Sequence, residues 1–204
     1  MALAYSPYVA MQISIKIGRS GLILAISGFA TAFLFNLHIG NKSYSPLLQS
    51  AAAESASEVA QTTANELLVE VNGLLDDGWQ QMKSGQYQSA IASYESAIVS
   101  AQSIGARQQE AEALMGIGVV DSLLGNHQQA IASRTQALSI YQSLSHLNKA
   151  ASALEGIADS YWVLGNYSQA ESHFRQALSI YQQIGDTESE QYVLSLIEQV
   201  TTAE

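Results

Sequence analysis

Four histidines and eighteen carboxylates are the residues of this 204-residue chain that could carry acid–base or metal chemistry, and there is no cysteine. His38, His127, His146 and His173 lie far apart, and no two fall at i, i+4. A metal centre needs three or four converging ligands, so these are read as ordinary structural histidines. The phosphate-cradling G-x-x-x-x-G-K-S/T, the dinucleotide G-x-G-x-x-G, the nucleophile elbow G-x-S-x-G and the zinc-protease H-E-x-x-H are all missing. Without cysteine there is neither thiolate chemistry nor a disulfide framework. The sequence therefore predicts no enzyme, no cofactor and no metal. Asn41-Lys42-Ser43 and Asn166-Tyr167-Ser168 match the short glycosylation sequon, and Asn166 is better explained as a helix cap.

Charge narrows the partners. Residues 1–42 hold Lys16, Arg19 and Lys42 and no acid, a charge of +3. The remainder sets five Lys and Arg against 18 Asp and Glu, a charge of −13, within a total of −10. A phosphate backbone would repel so acidic a domain, which argues against nucleic acid. Ser and Gln fill many of the other surface positions, so the solubilising face is polar but weakly charged.

The elements that must position any site are set by a repeat. Residues 111–142, AEALMGIGVVDSLLGNHQQAIASRTQALSIYQ, return 40 residues later as ASALEGIADSYWVLGNYSQAESHFRQALSIYQ at 151–182. A more worn copy lies upstream, where Gly85, Ala90, Tyr94 and Ala97 align with Gly125, Ala130, Arg134 and Ala137. A period of this length signals a solenoid of stacked supersecondary units. Gly85, Gly105, Gly125, Ser145, Gly165 and Gly185 punctuate the chain at twenty-residue steps. Gly just past a helix end accepts the left-handed conformation that closes it. The sequence thus predicts helices near 63–84, 87–104, 107–124, 127–144, 148–164, 167–184 and 187–202. Asn126-x-x-Gln129, Asn166-x-x-Gln169 and Thr187-x-x-Glu190 are expected to open helices as capping boxes, as are Ser55-x-x-Glu58 or Thr63-x-x-Glu66 for the first.

Large apolar residues at helical spacing mark the first helix of each pair: Leu114, Ile117 and Leu124, then Leu154, Ile157, Tyr161 and Leu164. Ala130, Ala137 and Leu138, then Ala170, Phe174, Ala177 and Leu178, mark the second. One pair cannot bury its stripe alone, so about three must stack. The last helix is expected as an end cap, with Val193, Leu194, Ile197 and Val200 inward and Glu190, Gln191, Glu198 and Gln199 in water. The predicted fold is all-α: a superhelical stack of antiparallel helix pairs, with three repeats near 71–110, 111–150 and 151–190 and a capping helix at 187–202.

Ahead of this 63–204 domain the sequence predicts a hydrophobic N-terminal helix within residues 1–40 and a tether at 41–62. Residues 21–40 carry no charge and follow Lys16 and Arg19. Twenty helical residues span roughly 30 Å, the thickness of bilayer hydrocarbon. The run is expected to anchor the chain to a membrane, with the repeats across it from the basic flank. The alternative is a cleaved signal that leaves an exported soluble protein.

These repeats resemble the tetratricopeptide repeat family, and the 40-residue period resembles its extended variant. The family pattern is quoted as Leu154, Ile157, Ala158, Tyr161, Gly165, Tyr167, Ala170, Phe174 and Ala177, with departures at Asp77, Gln81, Asp121, His127 and Arg134. The resemblance implies a groove lined by the first helix of each pair. Carried over, it presents Asp76, Trp79, Met82 and Lys83, then Glu112, Met115, Val119 and Ser122, then Glu155, Asp159 and Trp162. The clamp that some members use for a terminal carboxylate is absent, since its places hold Leu75, Trp79, Gly116, Ser152 and Gly156. The implied function is a non-enzymatic, membrane-tethered scaffold that binds a peptide or helix with apolar anchors and basic flanks, as in the assembly of a membrane complex. Weak self-association is the structural alternative, and the tryptophans could equally pack on neighbouring helices.

Overall fold

Glycine sets the rhythm of this chain. In the computed structural model, which describes residues 14–18, 21–25 and 46–203, Gly85, Gly105, Gly125, Gly165 and Gly185 all take φ between +69° and +79°. Each ends a helix with the paired backbone bonds of a left-handed cap: Gly125 N donates to Ser122 O at 3.1 Å, and Asn126 N to Asp121 O at 2.8 Å. The helices between these stops are α1 (Pro46–Lys83), α2 (Tyr87–Ile104), α3 (Arg107–Leu123), α4 (His127–Ser143), α5 (Leu147–Val163), α6 (Tyr167–Ile184) and α7 (Thr187–Ala203).

One turn breaks the glycine rule. Ser145 adopts φ 58°, the one positive value at a non-glycine among the described residues. A side chain in that conformation crowds the following carbonyl, at a cost of about 1 kcal/mol. Ser145→Gly is expected to raise stability by up to about 0.5 kcal/mol once glycine's extra unfolded-state freedom, about 0.5–1 kcal/mol, is set against that relief. Chemical denaturation checks it, and a loss of stability would mean that the hydroxyl matters to the turn.

Capping differs from the sequence expectation for the same reason. Asn126 and Asn166 stand at N-caps but make no side-chain cap bond, at ψ 56° and 65°. Each residue also finishes the left-handed turn of the preceding helix, so its backbone cannot reach the extended geometry a capping side chain requires. At α7 the cap is Asp186, one residue before the expected Thr187. Its carboxylate accepts from Ser189 N at 3.1 Å and from Ser189 Oγ at 2.8 Å.

The chain divides into two units, Met1–Ala56 and Ser57–Glu204. In the first, β1 (Ser14–Gly18) pairs antiparallel with β2 (Gly21–Ala25), with Ile15 opposite Leu24 and Ile17 opposite Leu22. β-branched residues in alternation suit a strand, so residues 21–25 are not part of the single helix expected over 21–40; residues 26–45 lie outside the described residues. Among the described residues no helix is long and apolar enough to cross a membrane. Helix α1 begins at Pro46 rather than near Thr63, so residues 46–62 of the expected tether are helical. Proline suits a first turn, and the Ala and Glu that follow are strong helix formers. No capping box opens a helix at Ser55 or Thr63; the Thr62 and Thr63 hydroxyls donate back to the carbonyls of Glu58 and Val59.

Within the second unit α2 to α7 each pack on their neighbours in sequence, α3 also meets α5 directly, and Val71 of α1 shares a core with Ala90 and Tyr94 of α2. Three core clusters follow, each joining a helix pair to the first helix of the next. The first holds Val71, Ala90, Tyr94, Ala97 and Val120, and the second Leu114, Ala137, Ile140, Tyr141 and Ala153. The third gathers Leu154, Ala158, Phe174, Tyr181, Leu196 and Ile197. Alanines at 0 % exposure line every pair and let the backbones close. Two inward expectations fail. Leu124 caps α3 and is 37 % exposed. On α7 the buried side is Val193, Leu196, Ile197 and Val200, which leaves Leu194 at 45 % exposed.

Candidate functional site

Helices α3 and α5 have neighbours on nearly every side, so each keeps one narrow open face. On α3 it is Glu112, Met115, Val119, Ser122 and Leu123; on α5 it is Ser152, Glu155, Asp159, Trp162 and Val163. This i, i+3, i+7 progression is one helical stripe. Direct contact between α3 and α5 sets the two stripes side by side, and forty residues upstream of Val119, Ser122 and Leu123 the same register gives Trp79, Met82 and Lys83 on α1, while the expected Asp76 aligns with Gly116. Asp76, Trp79, Lys83 and Asp159 are exposed, and the other seven expected groove residues are half-buried. Leu123 and Val163, 56 % and 65 % exposed, belong to the stripes as well. Their signal in the sequence was the next helical step after Val119 and Asp159.

Several of these groups already have partners. Lys83 Nζ lies 4.1 Å from the Trp79 ring centroid, so the cation that face could attract is supplied from within the chain. Lys149 pairs with Glu112, and the Tyr181 hydroxyl donates to Glu155. Trp162 packs partly against the core between α5 and α7. Asp76 remains exposed on α1.

The floor between α3 and α5 holds a charge that no motif announced. Arg134 reaches there from α4 and is 7 % exposed. Its Nη1 donates to Gly156 O at 2.6 Å and to Ser160 Oγ at 2.9 Å, while Nε has no partner. A Cβ at Gly118 would sit 2.7 Å from Arg134 Cγ, and one at Gly156 would sit 2.7 Å from its Nε. Those two glycines hold the slot open. Burial pushes the Arg134 pKa down, and the carboxylates of Asp159 and then Asp121 push it back up.

Desolvation dominates the acids as well. Asp159 keeps an accessible carboxylate, yet its crowded surroundings raise its pKa, with Arg134 opposing. Glu155 is raised mainly by burial, then held back by the Tyr181 hydroxyl, while Asp159 and Asp186 raise it further. Burial and the bond to Glu155 push Tyr181 up to about 12. A carboxyl with a raised folded pKa binds its proton more readily folded than unfolded. The contribution of Glu155 and Asp159 to stability therefore grows as pH falls from neutral toward the ordinary carboxylate range and is lost as pH rises through the raised values. Glu155→Gln, which can still accept from Tyr181, is expected to raise the melting temperature at pH 7 and flatten its rise between pH 7 and 5. An unchanged slope would show that Glu155 is not the group responsible.

Two tetratricopeptide repeat family models match, over residues 81–143 and 151–184. Among solved structures, the TPR domain of Arabidopsis FLU is similar at 22 % identity and a TM-score of 0.53, over 57 % of this chain and 98 % of that one. The Rap conjugation regulator of plasmid pLS20, solved with the Phr* peptide, is similar at 22 % identity and 0.57, over 69 % of this chain and 40 % of that one. The translocator chaperone SycD of Yersinia enterocolitica is similar at 18 % identity and 0.53, over 65 % and 83 %. At these identities the likeness speaks for the fold. No curated protein sequence is matched. The forty-residue helix pairs lie in register under both family matches, and residues 81–143 and 151–184 are tetratricopeptide repeats.

Proposed function

We propose that the repeat array is a non-enzymatic scaffold whose groove, formed by the open faces of α1, α3 and α5, holds a peptide or helix of a protein partner. One observation carries this reading. In α3 and α5, otherwise enclosed by their neighbours, the remaining open stripe keeps Leu123 at 56 % and Val163 at 65 % exposed beside carboxylates, and Trp79 at the equivalent place on α1 is 47 % exposed. Exposed apolar area rimmed by polar groups is the signature of a binding surface. The peptide in the Rap structure and the chaperone role in SycD's name belong to those proteins; here they support a protein or peptide partner over a small molecule.

The apolar anchors point to aliphatic or aromatic partner residues, and Glu155, Asp159 and Asp76 to Lys or Arg beside them. The uncharged run at 21–40, preceded by Lys16 and Arg19, supports attachment to a membrane or export across one. A scaffold fixed there would suit the assembly of a membrane complex. Fractionation separates the membrane arm from a soluble exported one.

A photo-crosslinking residue at position 79 or 162 of the full-length chain tests the groove. Crosslinks are expected to one protein species, and Trp79→Ala with Trp162→Ala is expected to weaken its binding at least tenfold, about 1.4 kcal/mol. Unchanged affinity in the double variant would remove the groove from the account.

A further inference from the structure

Polar and apolar groups along the open stripes are segregated, and the segregation constrains what lies there. Trp79, Met82, Val119, Leu123, Trp162 and Val163 form one apolar band across α1, α3 and α5, toward the C-terminal halves of those helices. Glu112, Glu155 and Asp159 border it on the N-terminal side of α3 and α5. The opposite rim carries no carboxylate: there is none from Met82 to Tyr94, from Ser122 to Leu154 or from Ser160 to Ala170. In a chain of net charge −10, one wall of the groove is acidic, and the other carries no acid and has Lys83 at its α1 end.

We infer that the occupant is an amphipathic helix with its Lys and Arg on one flank only. This rests on the groove reading above and narrows it. A helix presents an apolar stripe and a contiguous charged flank to the same surface, whereas a strand laid on that surface sends alternate side chains away from it. Neighbouring packed helices lie about 8–10 Å apart, and a helix repeats its face every seven residues, about 10.5 Å. Apolar residues at seven-residue intervals therefore meet successive repeats. Lys149 already occupies Glu112, so the basic flank falls on Glu155 and Asp159, next to Trp162. A second basic flank would face the rim without acids, find no carboxylate there and meet Lys83 at α1.

Trp79 and Trp162 are the two tryptophans of the chain, so their fluorescence reports occupancy of the full-length protein without a label. Three synthetic eighteen-residue probes are compared: a leucine-striped helix with lysines on one flank, the same composition scrambled so that the stripe is lost, and the striped helix with glutamates replacing the lysines. The striped lysine helix is expected to shift the emission to shorter wavelength and to bind at least tenfold more tightly than either other probe. Glu155→Gln with Asp159→Asn should erase its advantage over the glutamate helix. Leu123→Ser with Val163→Ser, at exposed positions that leave the core intact, should weaken both striped probes alike. Equal binding of the scrambled probe would overturn the helix, and equal binding of the glutamate probe would overturn the one-sided charge. Binding of none, with crosslinks still formed from position 79, would overturn the inference while the groove reading stands; loss of both would end the two together.

Discussion

Phe174→Ala is expected to destabilise the repeat unit by about 3–5 kcal/mol. Among the described residues Phe174 is the largest side chain with no exposure, packed among Ala158, Ala170, Ala177 and Leu196. Truncation removes the transfer free energy of the ring and leaves a void that alanine neighbours cannot fill, because their side chains have nothing to extend into it. In a domain of about 150 residues each kcal/mol shifts the midpoint by roughly 2–4 °C, so a drop near 10 °C is expected in thermal denaturation. Repeats touch only their neighbours, so the loss should be local. Amide exchange should quicken first in α5, α6 and α7 and last in α2. A drop below about 2 °C would mean that the third repeat repacks around the gap, and a uniform quickening would mean that the array unfolds as one block.

The helical rhythm was open to sequence reading because one physical device writes it. A left-handed residue every twenty positions stops a helix whatever surrounds it, and that is why α2 to α6 begin and end within one residue of expectation. The start of α1 was not open in the same way. Ala, Ser and Glu serve a tether as well as a helix, and the sequence has no glycine between Asn41 and Pro46 to separate the two. Capping at Asn126 and Asn166 was misread because the motif concerns side-chain reach, while the preceding glycine turn fixes ψ first. On α7 the inward choice between Leu194 and Leu196 turned on helical phase, which a short cap with leucines two residues apart leaves ambiguous.

For the groove, the stripes on α3 and α5 followed from register alone, whereas their occupancy did not. That Lys83 covers Trp79, that Lys149 holds Glu112 and that Tyr181 reaches Glu155 are contacts across 4 to 37 residues that no local pattern encodes. The extra turn of the second helices, Ser-Ile-Tyr-Gln, shows the same limit. It was visible as length, but only packing reveals that Tyr141 and Tyr181 are buried at 3 % and 4 % exposure, at the joint with the following repeat.

Arg134→Ala is expected to cost roughly 2–4 kcal/mol, while Arg134→Tyr should cost less than about 1.5. The contrast comes from comparing repeats. Tyr94, Arg134 and Phe174 are forty residues apart and occupy the same slot, and the Tyr94 ring lies between Gly78 and Gly116 just as Arg134 lies between Gly118 and Gly156. Alanine would empty that slot, discard two hydrogen bonds from a charged donor, and leave Asp121, 8 % exposed, and Asp159 with no cation between them. Hydrogen bonds to charged groups contribute about 1.5–3 kcal/mol each, reduced here because Gly156 O and Ser160 Oγ also bond within α5, where Ser160 Oγ donates to that carbonyl at 3.0 Å. Tyrosine would refill the space, and the burial it gains offsets the charge it removes, since replacing a buried ionic group with a well-packed apolar one is often neutral or stabilising. The two variants are compared by urea denaturation at pH 7. Equal losses would show that the slot requires a charge; a small loss for tyrosine alone would show that it requires volume and that the guanidinium is present for the electrostatics of the groove floor beside Asp159.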